Sequence, residues 1–406
     1  MSFVSVPPNS EVSMSLHDFT VSGEIRELAT VIGEFVRDEI RPREAALPPD
    51  ARFLPQEDVA ALQKLARGAG FWNLTAPTEL GGGGLGAFDM AIVDEQAAKH
   101  TFCFPIVGNG AFGYPPPSIL YGASKKQIED YVIPTIEEGW RSFNAITEQG
   151  SGSDPARSIR TTAVRKGGKY VLNGQKMWIT HADKARYGVV YARTDLNKGR
   201  HGISAFIVDA DTPGMTIRPI PVIRDLWTNE VVFDDVEIPA DRLIGEEGEG
   251  FAIAQRFLGK FRVHFATTSI AVGEESMRIA TEFVKNRESF GLPVAQRQGV
   301  QFALADAKVK LKAARWLTWE AARKHDSGQN ARIESSIAKL YATEAGFSVV
   351  DSMMQLMGGM GLAKELPLEH WFRDLRVARV VEGPSDIHRF VLAREILGSA
   401  ALPSRS

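Results

Sequence analysis

A chain of 406 residues exceeds the size at which one hydrophobic core stops growing, so two or three domains are expected. With 44% hydrophobic and 24% charged residues it has the profile of a soluble globular protein, and a net charge of -3 argues against nucleic acid as its main partner. Cys103 is the single cysteine, which excludes an intrachain disulfide and a cysteine-built metal centre, and no metal site is expected. No apolar run approaches the roughly 18 residues that a membrane span requires. The opening MSFVSVPPNSEVSMS lacks a basic start and an apolar core, so residues 1–20 read as a short mobile tail, not a secretory signal, and the expected location is cytoplasmic.

The stretch 21–140 is helical in pattern. Ile25, Leu28, Ile32, Phe35, Val36 and Ile40 keep one face apolar, and Pro42 is expected to stop that helix. A second helix follows Pro55, lined by Val59, Leu62 and Leu65. The run Gly81 to Gly84 invites a nucleotide-loop reading, but no strand and no Lys-Ser/Thr pair flank it, so a tight turn near a ligand is expected instead.

Over 141–248 the texture changes to strands. Thr161–Arg165, Tyr170–Leu172 and Lys176–Thr180 are β-rich, separated by Lys166-Gly167-Gly168 and by Asn173-Gly174, a hairpin signal. Gly188–Ala192, Ile203–Val208, Met215–Ile220, Val231–Phe233 and Val236–Ile238 continue the pattern. Short strands with no intervening helices imply an antiparallel sandwich or barrel. From 249 to 400 the chain is helical again. Leu304, Ala307, Leu311, Ala314 and Leu317 form one apolar stripe, and Ile333, Ile337, Leu340, Phe347, Val350 and Met354 another, as in a bundle of four or more helices.

Near the end of that bundle, Glu382-Gly383-Pro384-Ser385 interrupts two helical segments. Gly tolerates positive φ and Pro pushes its predecessor out of the α region, so a carboxylate stands on a turn before a fresh helix that Ser385 or Asp386 is expected to cap. Its side chain can then face a cavity, and the following N–H groups are free for a ligand. Taken alone, the stretch fits better an ordinary acidic residue at a helix junction, paired with a nearby arginine.

Upstream motifs decide between these. Phe143-Asn-Ala-Ile-Thr-Glu-Gln-Gly-Ser-Gly-Ser-Asp154 resembles the Thr-Glu-x-Gly-x-Gly-Ser-Asp signature of acyl-CoA dehydrogenases, and Leu172-Asn-Gly-Gln-Lys-Met-Trp-Ile-Thr180 resembles their Trp-Ile-Thr signature. Arg287-Glu-Ser-Phe-Gly291, Gln298, Gln355-Leu-Met-Gly-Gly359 and Phe372-Arg-Asp374 through Glu382-Gly383 resemble their C-terminal set, in the same order and spacing. The resemblance covers nearly the whole chain. It implies an α+β fold: an N-terminal helical domain, a middle antiparallel β domain and a C-terminal four-helix bundle.

The resemblance also assigns roles. Ile146 and Thr147 would meet the pyrimidine end of FAD, Thr180 its redox-active nitrogen, and Trp178 the ring face away from substrate; hydroxyls, amides and a flat indole suit those edges. Ser153 would reach the cofactor phosphate or coenzyme A. Arg287, with Phe290 and Gln298, would hold the pyrophosphate, and Gln355, Gly358 and Gly359 would contact FAD from a neighbouring subunit, implying a homodimer or homotetramer. Pro384 and Asp386 flank the cofactor, and Pro384 stands where many members carry Thr. Glu382 would remove the α-proton of the thioester, its N–H polarising the carbonyl with Gly383 beside it. Arg262 fits a substrate role or a structural ion pair. Phe261 precedes it where some members place their glutamate, so Glu382 has no rival there. His264 reads as a core histidine. The aromatic and proline-rich segment from Phe102 to Pro117 suits an acyl pocket or plain loop packing. The implied activity is acyl-CoA dehydrogenation with electrons passed to electron-transfer flavoprotein. An oxygen-using enzyme of the same fold, or a non-catalytic binding or assembly protein, are the alternatives.

Overall fold

The computed structural model describes residues 19–223 and 228–401. Most of the expected tail, residues 1–18, lies outside the described residues. Helix α1 (Gly23–Phe35) is capped by Ser22, whose hydroxyl accepts the Ile25 N–H at 3.2 Å, and it buries Ile25, Ala29 and Ile32. Pro42 does not end this helical run. A π-type turn over Val36–Ile40 lets the Arg41 N–H reach the Val36 carbonyl, so Pro42, which has no N–H, enters the continuing helix Arg41–Ala45 in its first turn. The same device precedes Pro134, where Ile133 reaches back to Ile128. Helix α2 (Gln56–Gly68) follows Pro55 as expected, and α3 (Ala87–Ala97) follows the glycine run. That run is a tight turn whose amides, Gly81 to Gly84, donate to the carbonyls of Thr78, Pro77, Asn73 and Ala76. A Cβ on Gly82 would lie 2.2 Å from the Ala76 oxygen. Close backbone packing, not a phosphate, explains these glycines.

The strands are β1 (Ser142–Ala145), β2 (Thr162–Lys166), β3 (Lys169–Thr180), β4 (Tyr187–Arg193), β5 (Ile203–Asp209), β6 (Met215–Ile220), β7 (Thr228–Pro239) and β8 (Leu243–Ile244). Among the described residues they form one mixed sheet in the order β6-β7-β3-β2-β4-β5-β8, with β1 paired to β4. The all-antiparallel expectation fails at β1 and β2, which both pair parallel with β4; between β1 and β4 a short helix, Pro155–Ser158, and the β2–β3 hairpin intervene. Asn173-Gly174 is not a turn. The hairpin closes at Gly167-Gly168, and β3 runs straight on with a register shift between Leu172 and Gly174, where φ is +144°. Strand β4 is buried on both faces: Tyr187, Val189 and Tyr191 join a core with Leu120, Tyr131 and Ile253, while Val190 and Ala192 join Phe143, Leu172 and Phe206.

The C-terminal helices are α4 (Gly250–Asn286), α5 (Gln298–Asp326), α6 (Arg332–Met357), α7 (Leu368–Ala378) and α8 (Ser385–Leu397). They share one core with the N-terminal helices, in which Ile32, Leu62 and Val93 join Phe265, Leu311, Met353 and Trp371. On α6 the expected stripe is only partly buried: Ile333, Ile337, Leu340 and Phe347 stay half-buried. The fully buried face carries Ser335, Ala338, Lys339, Ala342 and Thr343, because α4 approaches so closely that a Cβ on Gly346 would lie 2.7 Å from the Ser269 carbonyl oxygen.

Candidate active site

The turn between α7 and α8 places Glu382 at φ +55° and Gly383 at φ +96°, both in the left-handed region. The Ser385 N–H returns to the Arg379 carbonyl at 3.1 Å, and the Ser385 hydroxyl donates to Glu344 Oε1 at 2.6 Å, so Ser385 secures the turn without capping α8. Pro384 occupies the cap position with no side-chain hydrogen bond, and Asp386 pairs instead with Arg389 at 2.9 Å. Arg262 Nε donates to the Glu382 carbonyl at 3.2 Å and Lys339 Nζ to the Gly383 carbonyl at 2.8 Å. With both carbonyls held, the Glu382 and Gly383 N–H groups find no acceptor among the described residues. Glu382 Oε2 is buried and has no hydrogen-bond partner among the described residues. Burial raises its pKa, and Arg262, Lys339 and His264 oppose the rise by their charge.

His264 proves to be more than core filling. Its Nδ1 faces Asp94 Oδ2 at 2.9 Å and its Nε2 faces the Pro105 carbonyl at 3.1 Å. A carbonyl only accepts, so Nε2 carries a proton, and the imidazolium satisfies both partners. Burial disfavours that charge, yet Asp94 and the Pro105 carbonyl raise the pKa above the usual histidine value. Behind the turn, burial pushes Lys339 down to about 7, and His388 on α8 is buried and, with the charges of Lys339 and Arg262 beside it, pushed down to about 3. Asp94, Lys339, Glu344 and His388 had no motif to mark them; only the packing of α3, α6 and α8 brings them to Glu382.

The two middle signatures lie side by side. The Met177 N–H donates to the Thr147 carbonyl at 2.8 Å, and buried Lys176 reaches the Ile146 carbonyl at 3.1 Å and Glu148 at 2.8 Å. Glu148 also accepts from the amides of Arg160 and Thr161. Trp178 falls in a register shift between Lys176 and Ile179, takes φ +62° and keeps 54% of its surface exposed, although Lys176 and Ile179 on either side are buried. A large indole held out in a strained conformation, with the half-buried hydroxyls of Thr147 and Thr180 nearby, fits the donor edge and flat face of a flavin. Ser153, at φ +72°, is exposed on the loop that follows.

Other candidates face outward. Arg287, Gln298, Gln355, Gly358 and Gly359 are exposed, and Phe290 is 96% exposed at φ +52°. Arg262 has no ion-pair partner among the described residues; the turn carbonyl takes its place. A cavity of about 370 Å³ is lined by Phe53, Phe102, Phe104, Pro105, Tyr114 and His181. The proline-aromatic segment therefore walls a cavity, and Pro105, which holds His264, connects that wall to the turn.

Family models described as "Acyl-CoA dehydrogenase" N-terminal, middle and C-terminal domains match residues 22–138, 144–236 and 248–397. The human mitochondrial short-chain specific acyl-CoA dehydrogenase is 36% identical over 392 residues, covering 95% of this chain and 93% of its own. An acyl-CoA dehydrogenase of Bacillus subtilis (strain 168) is 33% identical over 372 residues, covering 91% and 96%. The structure of butyryl-CoA dehydrogenase from Megasphaera elsdenii superposes with a TM-score of 0.84 at 28% identity, covering 94% of this chain and 100% of that one.

Proposed function

The chain belongs to the acyl-CoA dehydrogenase family, a family of flavin-dependent oxidoreductases, and from that premise we propose that it dehydrogenates an acyl-CoA thioester to the trans-2-enoyl-CoA with Glu382 as the base. The observation that carries this reading is the Glu382 carboxylate, its Oε2 buried on a turn whose Glu382 and Gly383 N–H groups, like that oxygen, have no hydrogen-bond partner among the described residues. Both halves of the chemistry are supported there. The carboxylate takes the α-proton, and the Glu382 N–H, with Gly383 beside it, stabilises the negative charge that develops on the thioester oxygen, an interaction typically worth about 10²- to 10³-fold in rate per donor. Burial raises the pKa of the base, and the surrounding cations oppose that rise. FAD, when bound, accepts the β-hydride.

Thr147, Trp178 and Thr180 hold the flavin ring, and Ile146 is pinned beside them by Lys176. Arg287, Phe290 and Gln298 serve the pyrophosphate of one subunit, and Gln355, Gly358 and Gly359 reach it from a second subunit. Residues 21–140 wall the acyl pocket, 141–248 carry the flavin ring, and 249–400 supply the base and the oligomer contacts. Electron-transfer flavoprotein receives the electrons.

The test is the visible spectrum of the purified protein, followed by anaerobic bleaching with short, long, branched, aryl and cyclic acyl-CoAs, each repeated in air. Bleaching by one class that reverses slowly in air is the expected result and names the acyl group. Rapid reoxidation with peroxide moves the protein to the oxygen-using enzymes of the fold. A colourless protein that takes up no FAD sinks the enzyme reading.

A further inference from the structure

Lys339 sits on the fully buried face of α6, and its ammonium has no carboxylate within ion-pairing distance among the described residues. Removing an ammonium from water without a paired anion is costly, and burial accordingly drives its pKa down to about 7. A group kept at that cost is explained by what it touches, which is the Gly383 carbonyl at 2.8 Å. The turn needs such a partner. Glu382 and Gly383 are consecutive left-handed residues, and for a glutamate that conformation is strained and persists only where its surroundings enforce it. Arg262 on α4 grips the carbonyl of the first residue, Lys339 on α6 that of the second, and the buried His388 ring of α8 closes the third side. Its Nε2 would lie 3.3 Å from a Cβ placed on Gly383.

We propose that Lys339 is a positioning residue: by donating to the Gly383 carbonyl, in concert with Arg262 on the Glu382 carbonyl, it locks the turn so that the Glu382 carboxylate and the free amides face the thioester. The inference rests on the dehydrogenase reading above. Displacing a reacting group by about 1 Å costs on the order of 10²-fold in rate, so the lock is a kinetic device more than a stabilising one.

The experiment compares the flavin-loaded wild type with Lys339→Met, which keeps length and volume but has no donor. The expected variant stays yellow and keeps its KM, while flavin reduction by the bleaching thioester slows about 10²-fold. A thioester analogue with sulfur at the β-position, able to lose its α-proton but with no hydride to give, is deprotonated correspondingly less. Reduction at the wild-type rate overturns the proposal. So does a crystal structure of the variant in which residues 381–385 have not moved, and that comparison decides even if no thioester reduces the wild type, which would be a failure of the function reading alone. Should Lys339→Met not fold, Lys339→Leu, which also lacks a donor, takes its place with the same outcomes.

Discussion

Glu382 is expensive to the fold and useful to the reaction, and that conflict is measurable. Its folded pKa is raised above that of the unfolded chain, first by burial, so its contribution to stability is fully present below the unfolded value of roughly 4.3 and is lost as pH rises through the folded value. Above the unfolded value the group therefore destabilises the fold, by up to about 1.4 kcal/mol for every tenfold by which burial weakens the acid. Glu382→Gln removes the charge and keeps the shape. The expected variant is yellow, melts at a higher temperature than the wild type at pH 7 and loses this advantage near pH 4, and is not bleached by any thioester. In the wild type, the rate of flavin reduction falls as pH drops through the raised pKa, since only the carboxylate accepts a proton. Arg262 and His264 from α4, Lys339 from α6 and His388 from α8 surround the turn, and Asp94 from α3 sets the charge of His264, so that limb reports the whole cluster. Retained turnover in Glu382→Gln would place the base elsewhere. The motif around Glu382 was legible because Gly and Pro punctuate it; Lys339 and His388 were not, because a lone Lys or His in a helix carries no sign of which side chains will surround it.

Among the elements, β3 is the one on which the flavin side of the site depends. It reads in sequence as two short strands around Asn-Gly, a strong hairpin signal that tertiary pairing overrides. Asn173 exchanges hydrogen bonds with Asp235 of β7, side chain to side chain at 2.9 Å and Asp235 N–H to Asn173 Oδ1 at 2.9 Å, so the register shift between Leu172 and Gly174 is stapled across the ladder and both long strands continue. The same misreading split β7 into Val231–Phe233 and Val236–Ile238. Pro42 misled in the same manner, since a π-type turn accommodates a residue that a regular helix would not. Gly174 is what permits the bulge: at φ +144°, a Cβ there would lie 2.6 Å from Thr161 Oγ1 and 2.7 Å from Thr161 Cα. Gly174→Val is expected to cost about 1–3 kcal/mol from backbone strain and overpacking. Because β3 also positions Trp178 and Thr180, the purified variant should show a lower melting temperature together with a lower ratio of flavin to protein absorbance. A variant that loses stability but keeps its full flavin content would separate the bulge from the site.

At the scale of the whole molecule, the helix–sheet–helix order follows from hydrophobic period: steps of three and four over 21–140 and 249–400, and alternation between them. What the period does not show is that the first and last helical regions share a single core, which becomes visible only once Phe265, Met353 and Trp371 are found among Ile32, Leu62 and Val93. Nor does it show what the molecule leaves uncovered. Phe290, Leu292, Phe302, Met360, Leu362, Phe390 and Ile396 are exposed, all from the C-terminal region. Apolar exposure on this scale marks an interface, and the residues matched to the second-subunit flavin contact, Gln355, Gly358 and Gly359, stand next to Met360 within the same region. The proposed homodimer or dimer of dimers would cover these groups and complete the cofactor site in one step, which would link assembly and flavin retention thermodynamically. Ile396→Asp tests the linkage. The side chain is 80% exposed in the single chain and has no role at the cofactor. The monomer fold is therefore expected to survive. Sedimentation velocity should show the wild type as a dimer or larger and the variant shifted toward monomer, with FAD lost on dilution in parallel. If the variant sediments as monomer and still retains its flavin, the cofactor is held within one chain, and the roles given to Gln355, Gly358 and Gly359 fall with the shared site.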